Sequence, residues 1–204
     1  MITVHARYNT EMNALKTSLE DTQITAATLK WLERAVIGLN LCPFAKGVHA
    51  KGQIRTVVSH ATSDDALLDD LEHALKHLVA SAPERVDTTL LVCPDALRDF
   101  DEFTDFLDLA EVVLRSHGLN GTIQIASFHP DYVFADAEPE DIANYTNRAP
   151  YPTLHLLRED SLSKATAAFP DAAEIYERNI ATMQQLGLEG WRALEVDAPP
   201  PDNS

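Results

Sequence analysis

The sequence predicts a single α/β domain, with a mostly parallel but mixed sheet of four to five strands and flanking helices. Three observations predict it. Strand-like and helix-like stretches alternate from Ile54 to Phe128, the order that joins parallel neighbours by right-handed crossovers. The 204 residues suit one domain with ragged ends. The composition, 45% hydrophobic and 24% charged, is enough for a real core. No internal repeat or linker divides the chain. The expected boundaries are a flexible arm over 1–21, the domain over 22–196 and a disordered tail over 197–204.

Each element has its own signal. Ile24, Leu29, Leu32, Val36 and Leu39 recur at helical spacing from Thr22, with Gly38 near the expected stop. An irregular stretch, Asn40 to Gln53, leads to a strand over Ile54–His60 rich in β-branched residues. Ser63 reads as an N-cap, with Asp64 and Asp65 at the positive end of the helix dipole and Leu67, Leu71, Leu75 and Leu78 on one stripe. A second strand over Val86–Val92 ends at Cys93-Pro94. A third helix follows from about Asp99 to Ser116, with Phe103, Phe106, Leu107, Ala110, Val113 and Leu114 inward and Gly118 after it. Thr122–Phe128 alternates as a third strand. A proline-bearing loop, His129 to Pro152, precedes a fourth strand over Thr153–Leu157, expected to return antiparallel beside the third. Helices over Ser161–Phe169 and Asp171–Leu186, the second opened by Pro170 and stopped by Gly187, close the chain. Trp191–Val196 is left to pack or to add an edge strand.

Composition excludes more than it assigns. Lys+Arg 16 against Asp+Glu 32 gives a net charge of -16, so the chain should repel nucleic acid and anionic membrane. No apolar run reaches the ~18 residues of a membrane span. Met1 to Asp21 holds no signal-peptide core, which makes a cytoplasmic protein the expectation. Two cysteines build no disulfide framework. G-x-G-x-x-G, P-loop, H-E-x-x-H, C-x-x-C and G-x-S-x-G motifs are all missing from the sequence. His73 and His77 have ligand spacing, but they lie opposite the leucine stripe and face solvent. Asn144-Tyr145-Thr146 matches a glycosylation acceptor, which carries no meaning without secretion.

The charge distribution points to a place for the chemistry. Asp64 to Glu111 holds 14 acidic against 3 basic residues, a solvated face or an acidic partner-contact surface. Arg34–Ser63 and Ile142–Arg158 hold no acid at all, which suggests a positive field aimed at a small anion. In an open sheet, ligands bind outside the carboxyl ends of the strands. Here those ends are His60, Cys93-Pro94 and Phe128-His129-Pro130, with Tyr151 to Thr153 joining them if the fourth strand is antiparallel. The aromatics and prolines of Asn144–Pro152 suggest a loop of fixed shape.

Within that frame, His129 reads as an acid/base or as a histidine bonded to its own loop. His155, opposite Leu154 and Leu156, reads as an orienting group or a half-buried structural one. Cys42 reads as a nucleophilic thiol if Pro43 opens a helical turn with Lys46 one turn on, and otherwise as a small buried hydrophobe. Arg148 and Arg158 are the expected anion anchors, because guanidinium forks pair with carboxylate or phosphate at two points. Lys46, Asn147 and Tyr151 complete the expected substrate-binding set. For Arg158 the rival is an ion pair with Glu159 or Asp160. Cys42, His129 and His155 are also the alternative metal set, though no ligand-pair spacing supports it.

Several segments resemble a bacterial family known as domain of unknown function 1415. They are Trp31-Leu32-Glu33 with Gly38–Ala45, Gly52–Arg55, Ala126-Ser127-Phe128-His129-Pro130, Asn144–Arg148 and Pro150–Glu159. The likeness covers about Thr22 to Leu194. It implies a small single-domain bacterial protein and no particular activity. The residues themselves lead to an expected enzyme acting on a small carboxylate or phosphate metabolite. The alternatives are a non-enzymatic anion-binding or regulatory module and a metal-binding protein. Sequence specifies neither cofactor nor oligomeric state.

Overall fold

The structure, a computed structural model, describes residues 2–166 and 172–198. Strands β1 (Ile54–Val58), β2 (Thr88–Val92), β3 (Ile123–Phe128) and β4 (Thr153–Arg158) form one sheet in the order β1-β2-β4-β3. β1 and β2 are parallel, and β4 runs antiparallel to both β2 and β3. The antiparallel return beside β3 is therefore as expected. The expectation that β2 and β3 are neighbours is not met, because β4 lies between them. Burial explains the insertion: every residue of β2 is buried, and Leu154 and Leu156 of β4 are fully buried. β3, which exposes Gln124, is fit for an edge.

The helices are α1 (Ile2–Trp31), α2 (Ala45–Ala50), α3 (Asp64–Ala80), α4 (Phe100–Ser116), α5 (Glu159–Thr166) and α6 (Ala172–Ala193). α1 starts at Ile2, far ahead of the Thr22 that apolar spacing marked. No proline or glycine interrupts residues 2–37, so a polar stretch extends the helix without a hydrophobic stripe. A π-helical turn, Leu32–Ile37, continues α1. Gly38 follows at ordinary helical φ, and a Cβ there would stand 2.2 Å from the Arg34 carbonyl oxygen. Close approach, then, is what requires that glycine.

α3 and α4 follow their signals. Ser63 Oγ accepts from the Ala66 N–H, the Asp99 carboxylate accepts from the N–H groups of Asp101 and Glu102, and the predicted leucine stripe is buried. Both helices cover one face of the sheet, packing on Leu91, Ile123, Leu154 and Leu156. The other face is covered by the end of α1, the π turn, α2, α5 and α6. Gly187 (φ 63°, ψ 175°) leaves helical geometry and divides α6 into two helical segments, stopping the first after Leu186 as the sequence predicts. The helix resumes and buries Trp191 against Tyr145, ring centroids 5.2 Å apart. Trp191–Val196 therefore adds no strand, because its apolar side chains are spent on the cluster around Trp31. Phe169, Pro170 and Pro199–Ser204 lie outside the described residues.

Candidate functional site

The loop between β3 and β4 has a fixed shape because its polar side chains bond its own backbone. Asn144 is fully buried: its Oδ1 accepts from the Phe134 N–H, and its Nδ2 donates to the Glu138 and Pro139 carbonyls. Asn147 donates to Ser127 O, and its carbonyl accepts from the His129 N–H. Arg148 donates through Nε to Tyr132 O and through Nη2 to Pro139 O, with its guanidinium 4.2 Å over the Tyr145 ring. Trp31 Nε1 of α1 donates to the Arg148 carbonyl at 2.8 Å, tying the loop to the helix layer.

His129 is the best-satisfied group of this set. Its Nδ1 accepts from the Asp131 N–H at 3.0 Å, which leaves Nε2 as the protonated nitrogen, donating to Leu97 O at 3.0 Å. The ring lies between Phe100 and Phe103 with no exposed surface. Desolvation lowers its pKa, so it is neutral. Both nitrogens are committed to backbone, and neither is left to take a proton from a ligand.

The other expected site residues are spread over the molecule. His155 points to the face opposite α3 and α4, bonded through Nε2 to the Thr88 hydroxyl at 2.6 Å, and burial lowers its pKa to about 4. The Thr88 hydroxyl donates to Leu156 O, so His155 supplies the proton of their shared bond. Cys42 packs among Ile54, Phe44 and Phe128. Pro43 does lead into a helical turn, and the Ala45 and Phe44 N–H groups reach the sulfur, yet desolvation outweighs them and raises the thiol pKa. Lys46 is exposed on α2, which packs through Phe44 and Val48 on Leu157, away from Tyr151.

Arg158 ends β4 at the opposite edge of the sheet from Tyr151. There its Nη2 donates to the carbonyls of Leu78, Ser81 and Val86, while Nε stands 3.7 Å from Asp87 Oδ1. Neither expected partner, Glu159 or Asp160, takes that role; Arg158 caps α3 and pairs with Asp87, itself bonded by Ser161 Oγ. Cys42, His129 and His155 do not converge, and among the described residues no three His, Cys, Asp or Glu side chains form a metal-holding group. The two acid-free segments do meet, but through Leu41, Ala45, Tyr145 and Ala149 in one apolar cluster rather than around a cationic hollow.

A cleft does lie at the carboxyl ends of the strands. It measures ≈ 370 Å³ and is lined by Ile24 of α1, by Pro94, Asp95 and Arg98 after β2, by Pro130 after β3, and by Pro150, Tyr151 and Pro152 before β4. A second cleft of ≈ 320 Å³, lined by Tyr145, Arg148 and Trp191, shares Pro130, Pro150 and Ala198 with it. Tyr151 is thus where the antiparallel return placed it. Burial raises its phenol pKa, which keeps it a neutral donor. Arg98 donates Nε to Pro94 O, and its Nη2 stands 3.8 Å from Asp95 Oδ1, which leaves most of its fork exposed and without a close partner.

One feature of this edge was only half visible in the sequence. His60, after β1, sits between two carboxylates, Nδ1 2.7 Å from Asp95 Oδ2 and Nε2 2.7 Å from Asp21 Oδ1. Carboxylates only accept, so both nitrogens donate and the ring is an imidazolium. Asp95 first and Asp21 second raise its pKa accordingly. His60 was placed at the edge by its strand, but Asp95 looked like one more member of an acidic stretch and Asp21 belonged to a presumed arm. No sequence spacing joins the three.

Fold and cleft define the class: a mixed α/β domain whose ligand-sized hollow lies at the carboxyl ends of its parallel strands. Over residues 23–193 the chain matches the family described as Protein of unknown function (DUF1415), and it belongs to that family. No curated protein and no solved structure matches it.

Proposed function

We propose that the protein binds a small anionic molecule, a carboxylate or phosphate with an apolar body, in the cleft at the carboxyl ends of β1, β2 and β3. The observation that carries this reading is the convergence of Arg98 and Tyr151 on that cleft. Arg98 offers a fork that its own carboxylate neighbour leaves largely unused, and Tyr151 offers a neutral hydroxyl beside proline walls. The His60 imidazolium, between Asp21 and Asp95, offsets one of those two carboxylate charges and Arg98 offsets the other, so the two-point geometry of the Arg98 fork, rather than a net positive field, holds the anion. Arg148, on the adjoining cleft, is a positioning residue that holds the loop carrying Pro150 and Tyr151.

Binding is favoured over catalysis by Cys42, His129 and His155, because those three side chains are committed to packing and internal bonds. Thermal-shift measurement across a panel of small mono- and dicarboxylates and inorganic phosphate tests the proposal. A stabilising ligand is expected, with its effect lost in Arg98→Ala and reduced in Tyr151→Phe. Consumption of that ligand on prolonged incubation would extend the reading to an enzyme. Stabilisation that survives both substitutions unchanged would remove the cleft as the site.

A further inference from the structure

A separate groove runs between α4 and the start of the loop after β3. It measures ≈ 640 Å³ and is lined by Phe100, Asp101, Thr104, Asp105 and Leu107 of α4 and by Tyr132, Val133, Phe134 and Ala135 of the loop. Its floor is aromatic. The Phe100 and Tyr132 centroids are 5.2 Å apart and those of Tyr132 and Phe134 5.0 Å, with Phe134 meeting the half-exposed ring of Tyr176 at 6.2 Å. His129 and Phe103 pack behind Phe100, so the floor is braced from within.

Its banks are acidic. Asp101, Asp105, Asp108 and Glu111 fall at helical spacing along the groove side of α4, all exposed. The loop adds exposed Asp131, Asp136 and Glu138. The one basic residue of α4, Arg115, lies in its last turn, beyond the carboxylate row. The carboxylate row from Asp101 to Glu111 is about 15 Å long. Val112, exposed on the same side, extends the apolar surface past the groove.

We infer that this groove docks a basic segment of a partner protein, one that alternates Arg or Lys with apolar side chains over about three helical turns. The aromatic floor takes the apolar side chains and the stems of the cations, and guanidinium groups stack on aromatic rings. The carboxylate banks take the charged ends and raise the rate of encounter. Charge complementarity selects this occupant over a second copy, since two chains of net charge -16 repel.

The test uses the full chain and a fluorescein-labelled 12-residue peptide of alternating Arg and Leu, read by fluorescence anisotropy. The peptide is expected to bind, with affinity falling at least about tenfold in Asp101→Lys/Asp105→Lys. A similar loss is expected in Thr104→Arg, an exposed position whose change fills the groove without touching the core. Circular dichroism melting confirms that each variant is folded. Asp64→Asn/Asp69→Asn on α3 is expected to leave binding unchanged. Equal loss in that control, binding indifferent to Thr104→Arg, or full competition by spermine would each show diffuse charge attraction and overturn the docking site. Self-association in sedimentation, abolished by Thr104→Arg, would overturn it in favour of a second copy.

Discussion

His60 and His129 both follow a strand at the same edge of one sheet, yet they hold opposite charge states. His129 has lost all contact with water and bonds one backbone N–H and one carbonyl; desolvation dominates, and the ring is neutral. His60 keeps about a third of its side chain in solvent and has a carboxylate on each nitrogen, which makes it cationic. Position after a strand did not decide between them; partner type and burial did. The same division runs through the arginines. Arg158 is spent on three carbonyls and Asp87, whereas Arg98 makes one backbone bond and a long ion pair. Polar groups of the interior are spent on backbone carbonyls and buried partners, while on the rim His60 is held by carboxylates and Arg98 keeps most of its fork unpaired.

The largest effects should come from breaking the interior set. Arg158→Ala uncaps α3 and leaves Asp87 buried without its partner, an event that costs about 3–5 kcal/mol. His129→Ala removes two buried bonds and opens a cavity between Phe100 and Phe103, for about 3 kcal/mol. Arg98→Ala, on the rim, should change stability by less than about 0.5 kcal/mol. Urea unfolding of the three variants measures the ranking. An Arg98→Ala loss matching that of Arg158→Ala would dissolve the distinction.

The sequence showed the scaffold more clearly than the site. Periodicity and capping marked α3 and α4 closely, since Leu67, Leu71, Leu75 and Leu78 and the Ser63 and Asp99 caps are local signals. Strand order was partly hidden, because the pairing of β4 with β2 joins segments more than sixty residues apart. The site was harder still. Residue type marked His129, Arg148 and Arg158 as chemistry-bearing, but carbonyl oxygens bind those groups, and every residue has a carbonyl. The Asp21–His60–Asp95 array unites α1 with two strand ends, a meeting that only the fold produces.

Cys42 sharpens the comparison from the thiol side. Its turn supplies N–H groups that favour thiolate, while its packing opposes it more strongly. Reaction with Ellman's reagent at pH 7.5 should run at least about tenfold slower than a free thiol. Cys93, buried and pushed up to about 12, should stay unreacted until the protein unfolds, when both thiols titrate. Rapid modification of Cys42 in the native protein would restore it as a candidate nucleophile.

An effect smaller than those of the interior set tests the His60 clamp itself. Its folded pKa lies above the ordinary 6.5, so its stabilisation is fully present below pH 6.5 and is lost as pH rises through the folded value. The charged groups facing it are Asp21 from α1 and Asp95 from the loop after β2, with Arg98 beyond Asp95. His129 and His155 have the opposite sign: their lowered pKa values cost stability as pH falls below 6.5, for His155 down to about 4. His60→Gln should therefore melt up to about 3 °C below the wild type at pH 6. That gap should close as pH rises, while the decline on the acid side stays common to both proteins. A gap that holds constant from pH 6 to pH 9 would show that His60 is held by shape rather than by charge, and its contrast with His129 would then be one of exposure alone.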